Sequence, residues 1–269
     1  MGNLLVRNNS VFTFNGKVFG YIPPPPPPKA STTPVAGISY TDGLPNDWNI
    51  MKEVAKVISD ASNSITADTT GAIYVNKGNS WAYKITPGDT ITANGFQYAV
   101  MGFNNYQLVN KANYGGNNTY AGLTFGMVDC CGNYPMNSSS TNNGGWGACL
   151  MRTSTMETLK TGMPSTMAQV RILYYDSKFA FYSDDYMFLP AEKEVFGSVV
   201  YSFSGEVTQY AYYKNGGSTI KNYNGSAAWW WLRSTSSATD DLFCYVSGGG
   251  NVDTDDAIYP GGTAPCFCV

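Results

Sequence analysis

Carboxylates gather at Asp184-Asp185, Asp240-Asp241 and Asp253-Thr254-Asp255-Asp256, and runs of this kind supply the oxygen ligands that calcium takes. None has the twelve-residue spacing of an EF-hand loop. The sugar-binding tripeptides Glu-Pro-Asn, Gln-Pro-Asp and Trp-Asn-Asp do not occur either. These acids therefore read as solvated turn carboxylates, and no metal is expected. Thiols stand at Cys130, Cys131, Cys149, Cys244, Cys266 and Cys268, without the CxxC spacing of zinc or redox sites. Cys266 and Cys268 share one face of a terminal strand, and all six are expected as free, buried thiols. The run Trp229-Trp230-Trp231 has the rings to stack on a sugar. Successive strand residues point to opposite faces, so Trp230 and Trp231 cannot share a platform, and the run is expected in the core. Arg233 lies on the Trp231 side, where a cation–π contact or a carboxylate contact with Glu192 or Glu194 is expected.

The chain contains no histidine. Imidazole-based nucleophile arrangements, zinc sites with imidazole ligands and imidazole acid–base chemistry are excluded together. No catalytic residue and no cofactor is expected. Only 13% of the 269 residues are charged, 16 basic against 19 acidic, and the pI near 4.9 argues against a nucleic-acid footprint. Aromatics reach 14%, with 20 tyrosines, alongside 29 glycines. That is the composition of a turn-rich, weakly charged surface protein. No apolar stretch reaches the roughly 18 residues of a membrane helix, and residues 1–7 lack the apolar run of an export signal. Membrane insertion is not expected.

Four segments must position these groups. Residues 1–22 alternate apolar and polar around an Asn15-Gly16 turn. Such a short hairpin cannot bury Phe12, Phe14, Phe19 and Tyr21 alone, so it reads as a docking peptide with these aromatics as its anchor. Residues 23–35, opening on six prolines, read as a stiff polyproline II spacer. Residues 36–70 read as a helical connector, capped at Asn46 or Asp47, with Ile50, Val54, Val57, Ile58 and Ala61 on one face. That face either packs on its own domain or forms a self-association seam, for which a homotrimer is the expectation. From residue 71 to 269 the pattern is β-rich, with strands at 72–75, 81–85 and 96–100 and turns at Pro87-Gly88-Asp89 and Asn94-Gly95. One or two helices are expected over 147–171, broken at Met163-Pro164, and long loops over 110–146.

Several motifs then follow in order: Ile85-Thr86-Pro87-Gly88-Asp89, Gly144-Gly145-Trp146, Phe188-Leu189-Pro190 leading to Glu194-Val195-Phe196-Gly197, and Trp230-Trp231-Leu232-Arg233-Ser234. The succession, over about residues 85–269, resembles a domain family of phages and gut bacteria. That family is similar to the C-type-lectin-like fold shared by formylglycine-generating enzymes and by phage receptor-binding proteins. Two departures stand out: Ala148-Cys149 at the helix start, and Thr263 to Val269 in place of the usual ending with its arginine. The resemblance implies an α+β, C-type-lectin-like domain of short antiparallel strands, few helices and long loops, preceded by the anchor and linker.

The function expected from this arrangement is that of a phage virion structural protein, a head fibre, decoration or tail adhesin. It would be made in the host cytoplasm and sit on the virion surface, bound to other virion proteins through its N-terminus and to a host glycan or protein through its head. The alternatives are a bacterial cell-surface glycan-binding module and a formylglycine-generating type of enzyme; the Cys266-Phe267-Cys268 spacing differs from that of the enzyme. In lectin-like receptor binders the C-terminal region forms the exposed face. The segment 235–259 mixes small polar residues with isolated rings, as binding loops do. By resemblance, Ser236, Thr239, Asp240, Tyr245, Asn251, Asp253 and Tyr259 are the candidate ligand-binding residues.

Overall fold

A computed structural model of the chain describes residues 29–60, 71–78, 80–114, 118–176, 178–205 and 207–269, together with the strands Val6–Asn8, Val11–Phe14 and Lys17–Phe19. The fold is α+β, with several antiparallel sheets and few, short helices.

Two five-stranded sheets build the core. The first runs in the order Met187–Phe188, Cys266–Cys268, Leu123–Met127, Phe96–Phe103, Thr90–Ala93, with all neighbours antiparallel. Asn94 and Gly95, with φ of 48° and 79°, form the tight turn between its last two strands; two successive left-handed residues are what a type I′ hairpin needs. Leu123–Met127 corrects the expectation of loops over 110–146. It is buried on both faces, so it carries no alternation to betray it.

The second sheet runs Gly132–Tyr134, Gly261–Thr263, Trp230–Thr235, Leu242–Val246, Val252–Asp256. Its neighbours are antiparallel except at Trp230 and Gly262, which pair in parallel. The C-terminal segment belongs to both sheets: Gly261–Thr263 lies in the second and, past Ala264-Pro265, Cys266–Cys268 lies in the first.

The helix Trp48–Ser59 is capped by Asp47, whose Oδ1 accepts the N–H groups of Asn49 at 2.7 Å and Ile50 at 3.0 Å. Met51, Val54, Ala55 and Ile58 are fully buried in the same hydrophobic core as the sheets, and the Trp48 ring lies 6.1 Å from Phe125 and 6.0 Å from Phe267. The connector helix therefore packs on its own domain; of the face read as a trimer seam, Val54 and Ile58 are buried in it, while Ile50 and Val57 are only half-buried. Ala61 lies outside the described residues. Lys29–Ser31, within the expected spacer, is a strand of a four-stranded sheet with Ile73–Asn76, Ala82–Ile85 and Thr41–Asp42.

The Gly-Gly-Trp motif opens a helical turn, Gly145–Ala148, continued by a π-helical stretch, Met151–Met156, and by Glu157–Leu159. The helical run ends at Leu159, before the break expected at Met163-Pro164, and no second helix fills the stretch to 171. Val170–Asp176 is instead a strand, in which Val170 and Ile172 are buried and Arg171 is exposed, a period of two. It forms a hairpin with Phe179–Asp185.

At the N-terminus, Val11–Phe14 pairs with Val6–Asn8 and with Lys17–Phe19, Phe12 opposite Phe19. Of the expected anchor residues, Phe12, Phe14 and Phe19 lie on these strands, while Tyr21 and the proline run fall outside the described residues. Among the described residues no helix is long and apolar enough to cross a membrane.

Gly122 shows how closely the long helix approaches the first sheet. A Cβ there would lie 2.0 Å from the Ala55 carbonyl oxygen. Gly122→Ala is predicted to lower the unfolding free energy by about 3 kcal/mol, since backbone rather than a flexible side chain must give way. Gly248→Ala meets only ordinary contacts, the nearest at 3.6 Å, and should change stability by less than about 0.5 kcal/mol. Urea denaturation followed by tryptophan fluorescence checks both.

Candidate functional site

The strand Trp230–Thr235 places its side chains first and its exit loop second. Trp230, Trp231 and Arg233 are all buried. Trp230 Nε1 donates to the Thr219 carbonyl at 2.9 Å and Trp231 Nε1 to the Tyr134 carbonyl at 3.0 Å, so these two rings serve the core. Trp229, on the Trp231 side, meets Trp231 edge-on at 4.9 Å. Arg233 takes Glu194 rather than Glu192: Nη1 donates to Oε2 at 2.5 Å and Nη2 to Oε1 at 2.8 Å. The guanidinium also donates to the carbonyls of Leu173 at 3.1 Å and Leu189 at 2.9 Å.

Tyr106 Oη donates to Glu194 Oε1 at 2.5 Å and bonds Tyr210 Oη. Burial first, then the Glu194 carboxylate, push both phenols well above their ordinary pKa. Burial works against the charge of Arg233, but the Glu194 carboxylate outweighs it and holds the guanidinium ionised.

Glu192, two residues earlier on the helix Glu192–Phe196, is equally buried and does a different task. Its carboxylate accepts backbone N–H groups from Val200 at 2.6 Å, Tyr201 at 3.3 Å and Ser202 at 2.8 Å. This fixes the 200–202 loop. The Tyr201 carbonyl in turn accepts the N–H of Ser237 at 2.8 Å and its Oγ at 2.7 Å, docking the loop that leaves the Trp230–Thr235 strand.

The far side of that exit loop is held by Asn142. Its Nδ2 donates to the carbonyls of Thr239 and Leu242, both at 2.9 Å, and its N–H donates to the Asp240 carbonyl at 2.7 Å. Between these clamps lies an open groove of about 400 Å³, lined by Asn142, Lys178, Phe203 and the Ser236 to Asp240 loop. Phe203 stacks on Tyr175 at 5.3 Å. Lys178 sits at the hairpin tip with φ of 83°. The groove thus offers hydroxyls, one ammonium, one carboxylate and an aromatic ring.

Three of the seven candidate residues, Ser236, Thr239 and Asp240, line this groove. The other four do not. Tyr245 and Asp253 face each other across the next hairpin, with Tyr245 Oη donating to Asp253 Oδ2 at 3.5 Å and the Tyr245 ring 5.1 Å from Trp229. Asn251 closes the opposite end of that hairpin through Ser247, and Tyr259, half exposed, sits in the turn after its last strand. Asn142, Lys178 and Phe203 were not expected; the Asn-Asn-Gly-Gly turn at 142–145 marks a loop but not what it faces. Among the described residues, no group of three or more His, Cys, Asp or Glu is placed to hold a metal ion.

All six cysteines are free. Burial pushes the thiols of Cys130, Cys149 and Cys266 up to about 12 and that of Cys131 up to about 11, and it raises Cys268 as well. These environments oppose the thiolate that nucleophilic cysteine chemistry needs. Ellman's reagent at pH 8 is predicted to titrate at most Cys131, the one half-buried thiol, before denaturation, and all six after it.

For the ion pair, Arg233→Met or Glu194→Leu alone should cost about 3 to 5 kcal/mol, because each leaves a buried charge uncompensated. The double variant should cost clearly less than the sum in urea denaturation. Strict additivity would contradict the coupling described above.

A family model described as Domain of unknown function (DUF6273) matches residues 111–269. The match starts later than the resemblance expected from about residue 85. No curated protein and no solved structure matches the chain. With more than half its length inside that match, closing on the ion-paired strand and the groove it leads to, the chain belongs to the DUF6273 domain family.

Proposed function

We propose that this protein is a structural component of a phage virion, a head fibre, decoration or tail adhesin, that presents a C-type-lectin-like head for attachment to a host surface or its glycans. The observation that carries the reading is the groove beside Ser236 to Asp240. It is made of loops, yet both its walls are tied to the buried sheet through Glu192 and Asn142. Loops held on a rigid scaffold and lined with small polar groups around one ring are the usual form of a recognition site. The sequence order of aromatic hairpin, proline spacer and head suits display at a distance from a larger particle.

A bacterial cell-surface glycan-binding module would use the same groove. A formylglycine-generating type of enzyme finds less support, because Cys266 and Cys268 are fully buried with raised thiols.

The test is binding of the purified full-length protein to host cells and to isolated envelope glycan. Lys178→Ala with Thr239→Ala is predicted to weaken binding by about tenfold or more without lowering the melting temperature, since both side chains are exposed. Asn251→Ala with Tyr259→Ala, away from the groove, should bind as the parent does. Undiminished binding by the folded Lys178/Thr239 variant would overturn the assignment of the groove. Incorporation into particles, abolished by deleting residues 1–28, separates the virion reading from the bacterial one.

A further inference from the structure

The hairpin Val170–Asp176 and Phe179–Asp185 leaves one long strand uncovered. In its sheet the order is Gln107–Leu108, Val170–Asp176, Phe179–Asp185, so the last strand is an edge. Pairing within the hairpin is continuous from Val170 opposite Asp185 to Asp176 opposite Phe179, with no bulge. The carbonyls of Leu173 and Tyr175 accept Arg233 Nε and Thr235 Oγ1, so these residues face away from the hairpin partner. By the alternation of an antiparallel ladder, Ala180, Tyr182 and Asp184 then direct their backbone groups outward. The Asp184 carbonyl is reached by Gln169 Nε2 at 3.3 Å.

Over its first five residues the strand also lacks the usual protection of an edge. Phe179-Ala180-Phe181-Tyr182-Ser183 holds neither a charge nor a proline, whereas exposed edges are ordinarily blunted by lysine, proline, a bulge or brevity. Phe179 is 70% exposed, Phe181 44% and Tyr182 63%. Among the described residues no other strand pairs with it.

We propose that this edge is a self-association surface at which two copies of the chain pair antiparallel about Tyr182. Charge selects the occupant and its direction. Lys178 precedes the strand and Asp184 lies near its end, where Arg171 Nε of the same hairpin reaches its carboxylate at 3.4 Å in an exposed pair that leaves it open to a second cation. Antiparallel pairing centred on Tyr182 sets Ala180 of one copy opposite Asp184 of the other, with Lys178 on the diagonal beside that same Asp184. A parallel arrangement would stack lysine on lysine and aspartate on aspartate. The antiparallel register also brings the two Tyr182 side chains opposite each other and the two Phe181 rings onto a diagonal within aromatic reach. Asp185 takes no part, because its carboxylate is committed to Trp146 Nε1 at 2.9 Å, Arg152 Nε at 2.7 Å and Ser183 Oγ at 2.7 Å. The pairing consumes the edge on both copies, so it closes at two, as isologous interfaces do. It does not depend on the groove's having a ligand.

Sedimentation velocity of the full-length protein over a micromolar concentration series tests this. A concentration-dependent dimer is expected for the parent chain. Tyr182→Lys, which sets two ammonium groups face to face, should weaken dimerisation by about tenfold or more, with circular dichroism and melting temperature unchanged. Lys178→Asp should weaken it too, and Lys178→Asp combined with Asp184→Lys and Arg171→Gln, the last removing the hairpin's own cation beside position 184, should restore it. A parent that stays monomeric throughout would overturn the proposal, as would a dimer indifferent to Tyr182→Lys. Failure of the charge swap to rescue would overturn the antiparallel register.

Discussion

The pairing of Arg233 with Glu194 is the constraint around which the domain is arranged. A guanidinium taken fully out of water must find partners for its donors, and here they come from three residues, Glu194, Leu189 and Leu173. Glu194 supplies the fork, Leu189 and Leu173 supply carbonyls, and Tyr106 and Tyr210 complete the carboxylate's surroundings. The strand Trp230–Thr235, the helix Glu192–Phe196 and the hairpin beginning at Val170 cannot shift independently while this charge remains satisfied. An apolar core of the same size would tolerate small slips among these elements; a buried ion pair with directional bonds does not.

Glu192 and Glu194 show how two like residues on one short helix divide structural labour. One neutralises a cation in the core, and the other uses backbone N–H groups to hold a surface loop. Three peptide donors do for Glu192 what a guanidinium does for its neighbour. The geometry of the groove is thereby referred back to the core across a single turn of helix.

Much of this was legible in the sequence where local chemistry decides the outcome. The Asn94-Gly95 turn, the Asp47 cap, the Trp-Trp-Leu-Arg-Ser strand and a carboxylate partner for Arg233 all follow from residue type and short spacing. Leu123–Met127 did not, because burial on both faces erases periodicity. The strand at Val170 was hidden because the stretch after the break at Met163-Pro164 is short and reads as readily as a second helix; only Val170, Arg171 and Ile172 show the period of two. The groove was half visible. Ser236, Thr239 and Asp240 are close in sequence, whereas Lys178 and Phe203 reach it only through tertiary packing. Conversely, Asn251 is near Thr239 in sequence, yet the hairpin pairing Leu242 with Asp256 through Val246 with Val252 separates them by about five residues of strand, roughly 17 Å.

The way the groove's loop is fastened has a consequence for inheritance. Asn142 grips Thr239 and Asp240 by their main-chain carbonyls, and Ser237 is docked in part through its own N–H. The shape of this stretch therefore owes little to the side chains at Ala238, Thr239 and Asp240, which are exposed. Such positions can drift without unsettling the fold, so descendants of one ancestral domain can diverge in this surface while the frame beneath stays fixed. On the proposed reading of the groove, selection on recognition and selection on foldability act on different atoms.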